Sequence, residues 1–363
     1  MAEKISMVVN GIEYQGWKTV SIRRAIETVA GQFNLTVVNN VDGQDWNILT
    51  QSPCEIRIGD KPVLTGYVDE VHGIIDSNSR SISITGRDKT CDLVDCSAFF
   101  KNSSWSNLTI KQLAEIFAKP FGVSVKADSP VGDKFTSFSI NKGDTAFQAV
   151  EKACRARSLL PTTDGFGNLV LTVSGSKRAD DNLVLGINIL MAEGTFNMEN
   201  RFSLYHVFSE SNSEPTLGWD VAIDSKGEFS DPDIKRYRPV MLQAESQSTS
   251  AECKTRAKWE AMVRKGASRV LRIKVAGWKQ TSGALWEINR LTHVKIPQLN
   301  VDSDMLISEV DYQRGDEGTV TQMSLKPPES YNPGTKFKAS SADKFKSTAD
   351  KHGKAGAGPV LGW

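Results

Sequence analysis

The sequence predicts a β-rich α+β fold with two antiparallel β-barrels per chain and α+β insertions. The first observation is a series of short strand-like runs over residues 1–98, separated by turn residues, which is the spacing of a small barrel or sandwich. The second is a change to helical periodicity over residues 99–178. The third is a return to strand patterns over residues 179–331, including a counterpart of the longest strand pair in the first region.

The strands of the first region, residues 1–98, are predicted from alternation of apolar and polar residues. Ile82 and Ile84 alternate with serine and threonine, the period of a half-buried strand. Turn formers interrupt the runs, for example at Gly59 and over 76–79. The predicted strands are 5–9, 12–14, 19–22, 32–38, 54–58, 62–72 and 80–86.

The α+β insert, residues 99–178, is predicted from two amphipathic helices and a hairpin. The first helix covers 107–119 and has Thr109 and Gln112 at capping-box spacing. The second helix covers 145–158, is capped by Asp144 or Thr145, and precedes a hairpin over 159–173. The apolar faces consist of Ile110, Leu113, Ala114 and Phe117 in the first helix and of Phe147, Val150 and Cys154 in the second.

The second barrel region, residues 179–331, mixes strands with one helix over 249–265. Thr249 and Glu252 cap that helix, and Ala257, Trp259, Met262 and Val263 are available for packing. The stretch between the predicted strands 203–209 and 240–245 is predicted to be rich in loops. The predicted strands are 183–190, 203–209, 240–245, 270–276, 285–287, 292–296, 305–312 and 319–325.

An internal comparison links the two strand regions. Residues 63–71 followed by 81–85 resemble residues 305–312 followed by 319–325, although the identity is low. The match is either the chance similarity of two hairpins or the trace of two barrels of one kind. In the second case, three chains in a ring would present six similar barrels, a pseudo-sixfold surface built from threefold symmetry.

Composition excludes several classes of protein. The 44 basic and 43 acidic residues give a formal net charge of +1, so nothing global indicates binding to nucleic acid or to an anionic membrane. No apolar run approaches the length of a transmembrane helix, and the N-terminus lacks the apolar region of a signal peptide. We therefore expect synthesis in the cytoplasm and no membrane insertion.

Catalytic, cofactor and metal motifs are not found in the sequence, and we predict no residue in any of these roles. The five cysteines are scattered, and Cys91 and Cys96 have neither a second pair nor a nearby histidine. Small buried hydrophobic side chains are therefore favoured over a zinc site for these two thiols. The four histidines, at 72, 206, 293 and 352, are not at metal-ligand spacing.

The segment 86–97 has the highest local density of charge. Asp88, Asp92 and Asp95 resemble a carboxylate cluster for acid–base catalysis, but Arg87 and Lys89 are interleaved with them. Ion pairs and turn capping are therefore the favoured roles for these carboxylates. The neighbouring Leu93 and Val94 are predicted to pack on one side of a short helical or irregular turn, where an aspartate in either position would abolish assembly of a soluble trimer.

The sole candidate for nucleic-acid contact is a basic stretch around a predicted strand. Its alternation places Arg272 and Lys274 on one face. We favour a solvated face or an inter-subunit salt-bridge strip over the lining of a DNA channel. Trp278 and Trp286 are expected to be core aromatic residues, with a partner contact as the alternative. The basic residues are Arg264, Lys265, Arg269, Arg272, Lys274 and Lys279.

Several longer segments resemble the baseplate hub proteins of Mu-like contractile-tailed bacteriophages. The resemblance covers roughly residues 5–330 in the family's order and excludes the last thirty or so residues. It is carried by GRDKTCDLVDCSA (86–98), PFGV (120–123), GDTAFQAVEKA (143–153), NRFSLYHV (200–207), RYRP (236–239), RAKWEAMVRKGAS (256–268), VAGWKQTSGALWEIN (275–289) and GTVTQMSL (318–325).

The resemblance implies two tail-tube-like barrels per chain and a structural role in the virion tail baseplate. A homotrimer would join the sixfold tail tube to a trimeric central spike, contact neighbouring tail and baseplate proteins, and open a lumen for DNA without binding it specifically. It implies no enzymatic activity and no cofactor. The alternatives are a tail-associated peptidoglycan hydrolase and the hub of a pyocin-like or secretion-type contractile injection device.

The C-terminal segment, residues 332–363, differs from the rest of the chain. It is rich in lysine, glycine, serine and alanine and contains no arginine, the composition of an extended tail. It ends in the apolar tip 358–363. We interpret it either as a solubilising tail or as a peptide that docks on a partner or packs inside the channel of a trimer.

Overall fold

Most strands of the protein belong to one large, predominantly antiparallel sheet. In the computed structural model, residues 3–38, 47–75, 80–157, 159–210, 223–244 and 249–331 are described. The predicted turn at 76–79 and the tail 332–363 lie outside this set. The strands are β1 (Ile5–Val9), β2 (Ile12–Tyr14), β3 (Thr19–Ala25), β4 (Gln32–Val38), β5 (Pro53–Ile58), β6 (Lys61–Ile75), β7 (Arg80–Asp88), β8 (Ser104–Trp105), β9 (Val125–Ala127), β10 (Phe138–Ser139), β11 (Leu160–Thr163), β12 (Leu169–Thr172), β13 (Lys177–Arg178), β14 (Leu183–Val184), β15 (Ile189–Phe196), β16 (Leu204–Glu210), β17 (Ile223–Ser230), β18 (Pro239–Gln243), β19 (Arg269–Ala276), β20 (Arg290–Ile296), β21 (Val301–Gly315) and β22 (Gly318–Lys326). The helices are α1 (Cys91–Asp95), α2 (Ile110–Ala118), α3 (Ala146–Ala156) and α4 (Ser250–Ala267).

Two groups of six strands follow the same order within the 14-stranded sheet. In the first group the neighbours are β3, β4, β7, β6, β5 and β1. In the second group they are β15, β19, β22, β21, β20 and β14. If the strands of each group are ranked along the chain, the two spatial orders are identical. The groups differ at their last pair, because β1 is antiparallel to β5 while β14 is parallel to β20.

The hairpins compared in the sequence occupy equivalent places in the two groups. Strands β6 and β21 each contain 15 residues, and their partners β7 and β22 each contain nine. The long strand has a register shift near its middle in both hairpins, at Asp69 in β6 and at Ser308 in β21. A Glu-Val dipeptide follows each shift, at 70–71 and at 309–310. The sequence similarity therefore reflects a repeated element.

The two strand groups are joined into one sheet by β21. Its first half pairs with β20, and its second half, after Ser308, pairs with β3 of the first group. One hydrophobic core extends through both groups. A single bridge between Leu185 and Ile189 connects the end of β14 back to β15. The β-rich α+β class is confirmed, and the strand sets predicted as two barrels are hydrogen-bonded to each other.

The insert between β7 and β13 has a separate core built by α1, α2, α3 and the sheet of β9, β11 and β12. The predicted faces of α2 and α3 are confirmed except at Phe147, which is half-buried. Thr109 and Thr145 each form a complete capping box with the glutamine three residues later. These caps fix the helix starts because each satisfies backbone N–H groups that a first turn leaves without partners.

A third packing unit was not predicted from the sequence. Strands β16, β17 and β18 form a separate sheet, and α4 packs on it around Tyr205, Val207, Cys253, Ala257 and Ala261. The start of α4 at a Thr249 capping box is confirmed. Strand β17 lies where the sequence indicated loops, because its pattern, including Gly227, has little apolar content. That glycine is required by packing, since a Cβ there would lie 2.0 Å from the Lys254 nitrogen.

Two predicted strands of the second region are wrong. The run 183–190 breaks at Gly186, which has a φ of 86°, so that β14 ends at Val184 and β15 begins at Ile189. Residues 285–287 form no strand and contribute one isolated bridge, from Leu285 to Lys279. The apolar character of that segment instead places Trp286 in the main core.

Gly66 in β6 allows a close approach of two strands, and we expect Gly66→Ala to destabilise the protein. A Cβ at this position would lie 1.9 Å from the Arg87 carbonyl oxygen, so the β6–β7 pair has to separate. The expected loss in the free energy of unfolding is about 1–3 kcal/mol, the usual cost of overpacking. The control is Gly315→Ala in β21, where a Cβ meets no atom within 4 Å. Equal urea midpoints for the two variants would contradict the expectation.

Candidate assembly surface

The charged segment 86–97 connects the first strand group to the insert through the carboxylate of Asp88. This side chain is buried and accepts hydrogen bonds from the Gly31 N–H at 2.7 Å, the Thr90 N–H at 2.9 Å and the Thr163 hydroxyl at 3.2 Å. Gly31 precedes β4 and Thr163 ends β11. One carboxylate thus fixes a strand end, a turn and the hairpin of the insert.

Asp88 and Asp95 of this segment are engaged in internal contacts. Burial raises the pKa of Asp88, although hydrogen bonds from Thr90 and Gly31 oppose that shift. Arg87 forms ion pairs with Asp69 and Asp95, both at 2.9 Å. The predicted roles in ion pairing and turn capping are confirmed for Asp95 and Asp88. The buried carboxyl group of Asp88 is enclosed and hydrogen-bonded, and it therefore has no free face on which to meet a substrate.

The prediction that Leu93 and Val94 pack together is wrong for Val94. Leu93 has an exposed fraction of 0% within the core of the insert, whereas Val94 is 37% exposed. The reason is helical geometry, because consecutive residues of α1 point about 100° apart around its axis. An aspartate at Val94 is therefore no longer expected to abolish assembly.

Four of the five thiols are buried, at Cys54, Cys91, Cys154 and Cys253. Burial raises the pKa of the Cys54, Cys91 and Cys154 thiols to about 12. These groups stay protonated at neutral pH and are poor nucleophiles. The interpretation as a buried hydrophobic side chain holds for Cys91 and is wrong for Cys96, which is exposed.

The histidines within the described residues lie apart from one another. His206 contacts Glu228 at 3.1 Å across neighbouring strands, and His293 lies 3.0 Å from Asp302 and 3.3 Å from Asp304. His72 is exposed on β6, and the position 352 is outside the described residues. Across the parts of the chain that the structure describes, no group of three or more metal-ligating side chains is arranged to hold an ion.

Five of the six residues of the basic stretch are paired with acidic residues of the same chain. Arg272 lies 3.6 Å from Glu193, and Lys274 lies 3.2 Å from Glu317. Arg264, Lys265 and Lys279 have partners as well, in Glu260, Asp233 and Glu3. These partners reduce the positive potential that a phosphate backbone requires. The sequence favoured a solvated face or an inter-subunit salt-bridge strip, whereas the pairs observed in the structure lie inside one chain.

The two tryptophans of the second group are core residues, as predicted. Trp278 and Trp286 are buried, and the Trp278 Nε1–H donates to the carbonyl oxygens of Gln313 at 3.1 Å and Val320 at 3.0 Å. The Tyr312 hydroxyl donates to the Trp286 carbonyl oxygen. These bonds satisfy the polar atoms of large buried rings. Partner contacts must therefore be sought elsewhere.

Among the described strand edges that lack a neighbouring strand, two expose more than one large apolar side chain each. One is the second half of β6, residues 70–75, whose side opposite β7 has no backbone partner after Val68 among the described residues. We name it the β6 edge. The other is the outer side of β15 beyond its single bridge at Ile189, residues 190–196, named the β15 edge, at the end of the sheet. The exposed apolar residues are Ile74 and Ile75 on the first and Leu190, Met191 and Phe196 on the second.

These edges are the strongest candidate for a functional surface. Unpaired backbone groups beside apolar side chains favour pairing with another chain. The sequence did not identify them, because the apolar residues of β6 and β15 resemble those of any buried strand. The only sign of this surface in the sequence was the apolar dipeptide 74–75, which breaks the alternation of apolar and polar residues in β6.

None of the four helices in the described part of the chain combines the length and apolarity needed to cross a membrane.

Family models match three parts of the chain. Residues 4–88 match the N-terminal domain of Mu phage baseplate assembly proteins of the GpP-like type. Residues 90–173 match the second domain of gp44-like baseplate hub proteins, and residues 249–334 match the fourth domain of Mu phage baseplate assembly protein GpP.

Relatives of known structure or function resemble the chain over almost its full length. The baseplate hub protein gp44 of Escherichia phage Mu is 32% identical over 341 residues, which cover 91% of this chain and 89% of that protein. The 43 kDa tail protein of prophage MuSo2 from Shewanella oneidensis has a TM-score of 0.83 at 33% identity, covering 91% of this chain and all of the other. A tail protein from Neisseria meningitidis has a TM-score of 0.79 at 23% identity, covering 92% and 99%. The chain therefore belongs to the family of baseplate hub proteins of Mu-like phage tails.

Proposed function

We propose that this hub protein forms a homotrimer that joins the sixfold tail tube to a trimeric central spike and opens a channel for DNA ejection. The observation that carries the proposal is the repeated strand order, in which β3-β4-β7-β6-β5-β1 corresponds to β15-β19-β22-β21-β20-β14. Three chains with two similar groups each present six similar units. A sixfold tube can dock on such a ring, while a threefold spike uses the chain symmetry itself.

The remaining units of the chain are proposed to serve contacts outside this ring. We assign the first strand group to residues 1–98, the insert to 99–178, the second group to 179–331 and the tail to 332–363. The insert has its own core and extends from the first group after β7. It is therefore suited to face neighbouring tail and baseplate proteins without disturbing the sheet. The tail is a candidate for contact with the spike or the channel.

The channel is proposed to let DNA pass without specific binding. Five of the six basic residues in and around β19 have acidic partners within the chain, so a channel wall that included this strip would present a nearly neutral face to the phosphate backbone. A strongly basic lining would hold DNA, because each phosphate contact adds salt-sensitive affinity. Weak interaction favours rapid ejection.

We propose that the role is structural and not enzymatic. The charged segment most similar to a catalytic cluster is occupied by internal hydrogen bonds and ion pairs. The rival function of a peptidoglycan hydrolase predicts clearing in a muralytic zymogram. We expect no clearing from the purified protein. Two of the three relatives above come from a phage and a prophage, which favours a phage tail over a genome-free injection device.

The proposed trimer is tested by light scattering on a sizing column. The expected mass is that of three chains of 39.9 kDa each. A stable dimer would contradict the ring, because two chains cannot place six equivalent units around the tube. If the protein is a monomer, addition of the spike protein has to produce a complex that contains three chains of this protein. Failure to form that complex would overturn the proposal.

A further inference from the structure

We propose that the β6 edge of one chain pairs in antiparallel fashion with the β15 edge of the next chain. The interface would repeat, between chains, the junction that β21 and β3 form within each chain. The inference rests on the proposed trimer and specifies its contact. The partner is a second copy of this chain. In the internal repeat, β6 is the equivalent of β21 and β15 is the equivalent of β3, and β21 and β3 are the two strands that pair within each chain.

The first step is the equivalence of β6 and β21. Each pairs with the following strand and shifts register once, at Asp69 and at Ser308. Alignment at this shift makes Val71 equivalent to Val310 and Ile75 equivalent to Arg314. In β21 the segment after the shift pairs with β3. In β6 the same segment is the unpaired β6 edge.

The second step is the equivalence of β3 and β15. Strand β3 pairs with β4, which pairs with β7, and β15 pairs with β19, which pairs with β22. The registers along these two series make Val20 equivalent to Ala192 and Arg24 equivalent to Phe196. Strand β3 uses its other side to bind β21, and the same side of β15 is the unpaired β15 edge.

The two equivalences fix the register of the proposed interface. Within the chain, the aligned pairs are Val310 with Arg24, Tyr312 with Ile22 and Arg314 with Val20. Between chains, the equivalent pairs would be Val71 with Phe196, Gly73 with Gly194 and Ile75 with Ala192. These side chains lie on one face of each strand because residues two apart share a face.

The chemistry of both edges fits this register. Ile75 is 73% exposed and Phe196 is 45% exposed in the single chain, and the proposed pairing gives each an apolar neighbour. A Cβ on Gly73 would meet no atom within 4 Å, so no other side chain covers this face of β6 where the proposed pairing places Gly194 beside it. Six strands separate the two edges within one sheet, which favours pairing between chains.

Disulfide trapping tests the register directly. In a Cys96→Ser background, which removes the exposed thiol, the pair Val71→Cys and Phe196→Cys should oxidise to covalent dimers and trimers. Directly opposed strand residues have Cα atoms about 4.5–5.5 Å apart, within the range of a disulfide. The control pair, Val71→Cys with Thr195→Cys, differs by one residue, so its thiols lie on opposite faces. We expect at least about tenfold more cross-linked chain from the first pair, with residues 71 and 196 joined in the peptide map.

The outcomes separate this inference from the proposed trimer. A three-chain mass without the Val71–Phe196 cross-link, or with more product from the control pair, overturns the pairing and leaves the trimer intact. A monomer that gives no cross-link overturns the pairing, and the spike-addition experiment then decides the trimer.

A second pair of variants tests the same edge without thiols. Ile75→Asp should reduce the three-chain species at least about tenfold with an unchanged melting temperature of the monomer, because Ile75 is exposed and a charge within an interface is unfavourable. Ile12→Asp on β2, also exposed, should retain the assembly. An Ile75→Asp protein that assembles like the wild type overturns the inference.

Discussion

Leu93→Asp is expected to abolish soluble, folded protein, while Val94→Asp is expected to be tolerated. Leu93 has no exposed surface and packs in the core of the insert with residues of α2 and α3. An unpaired carboxylate in such a place costs several kcal/mol or more. That cost is a large fraction of the 5–15 kcal/mol that typically stabilises a folded domain. Val94, the next residue, reaches solvent.

The measurement is the soluble yield together with the thermal unfolding curve of each variant. Leu93→Met serves as the packing control, since a swap of similar volume costs less than about 1.5 kcal/mol. Normal yield and an unchanged unfolding curve for Leu93→Asp would show that this position is not enclosed. Equal loss for Val94→Asp would contradict the exposure of that side chain.

Local signals predicted the helices and hairpins well. Thr109, Thr145 and Thr249 each stand three residues before a glutamine or glutamate, and all three helices start there. The capping box acts within one turn, so a short window of sequence contains the whole interaction. The β6–β7 and β21–β22 hairpins were predicted for the same reason, because alternation and turn residues are adjacent in the chain.

Features that depend on distant residues could not be predicted. The pairing of β3 with β21 joins residues almost three hundred positions apart, and no local pattern encodes it. Asp88 was predicted to cap its own turn, but its bonds to Gly31 and Thr163 arise only in the folded chain. Strand β17 was missed because sheet pairing and the close approach of α4 outweigh its low strand propensity.

The candidate surface illustrates the same limit. From sequence, Ile74, Ile75 and Phe196 are strand residues with core character, and their exposure follows from which strands lack a neighbour. The family resemblance predicted a hub but not the location of its contacts. The internal repeat links the predicted role as a hub to the location of its contacts, because it shows which strand edge has a partner in one group and lacks one in the other.

Arg201→Met is expected to destabilise the unit of α4, β16, β17 and β18 by about 3–5 kcal/mol, the usual cost of leaving one member of a buried ion pair alone. Arg201 is 1% exposed and donates to Asp231 at 2.6 and 3.1 Å and to Asp233 at 2.9 Å. Lys265 of α4 contacts Asp233 at 2.6 Å. The guanidinium thus neutralises a buried carboxylate at the point where the helix meets the sheet.

The matched control is Arg178→Met, which removes a guanidinium with equally good geometry at the surface. Arg178 donates to both carboxylate oxygens of Asp304, at 2.8 and 3.0 Å, but both side chains are about half exposed. Exposed pairs contribute only about 0–1 kcal/mol. Urea unfolding and hydrogen exchange of residues 250–267 should therefore show a large effect for Arg201→Met and a small one for Arg178→Met.

The pH dependence of the Arg201→Met effect provides a test that is independent of packing. Burial tends to raise the pKa of Asp233, but its ion pairs with Lys265 and Arg201 outweigh this and lower it. A lowered pKa in the folded state means that the stabilisation is present at neutral pH and is lost as the pH falls below the ordinary aspartate value of about 3.9. The difference in unfolding free energy between wild type and Arg201→Met should thus narrow on acidification, and a difference that stays constant would mean that the lost stability came from packing of the arginine side chain.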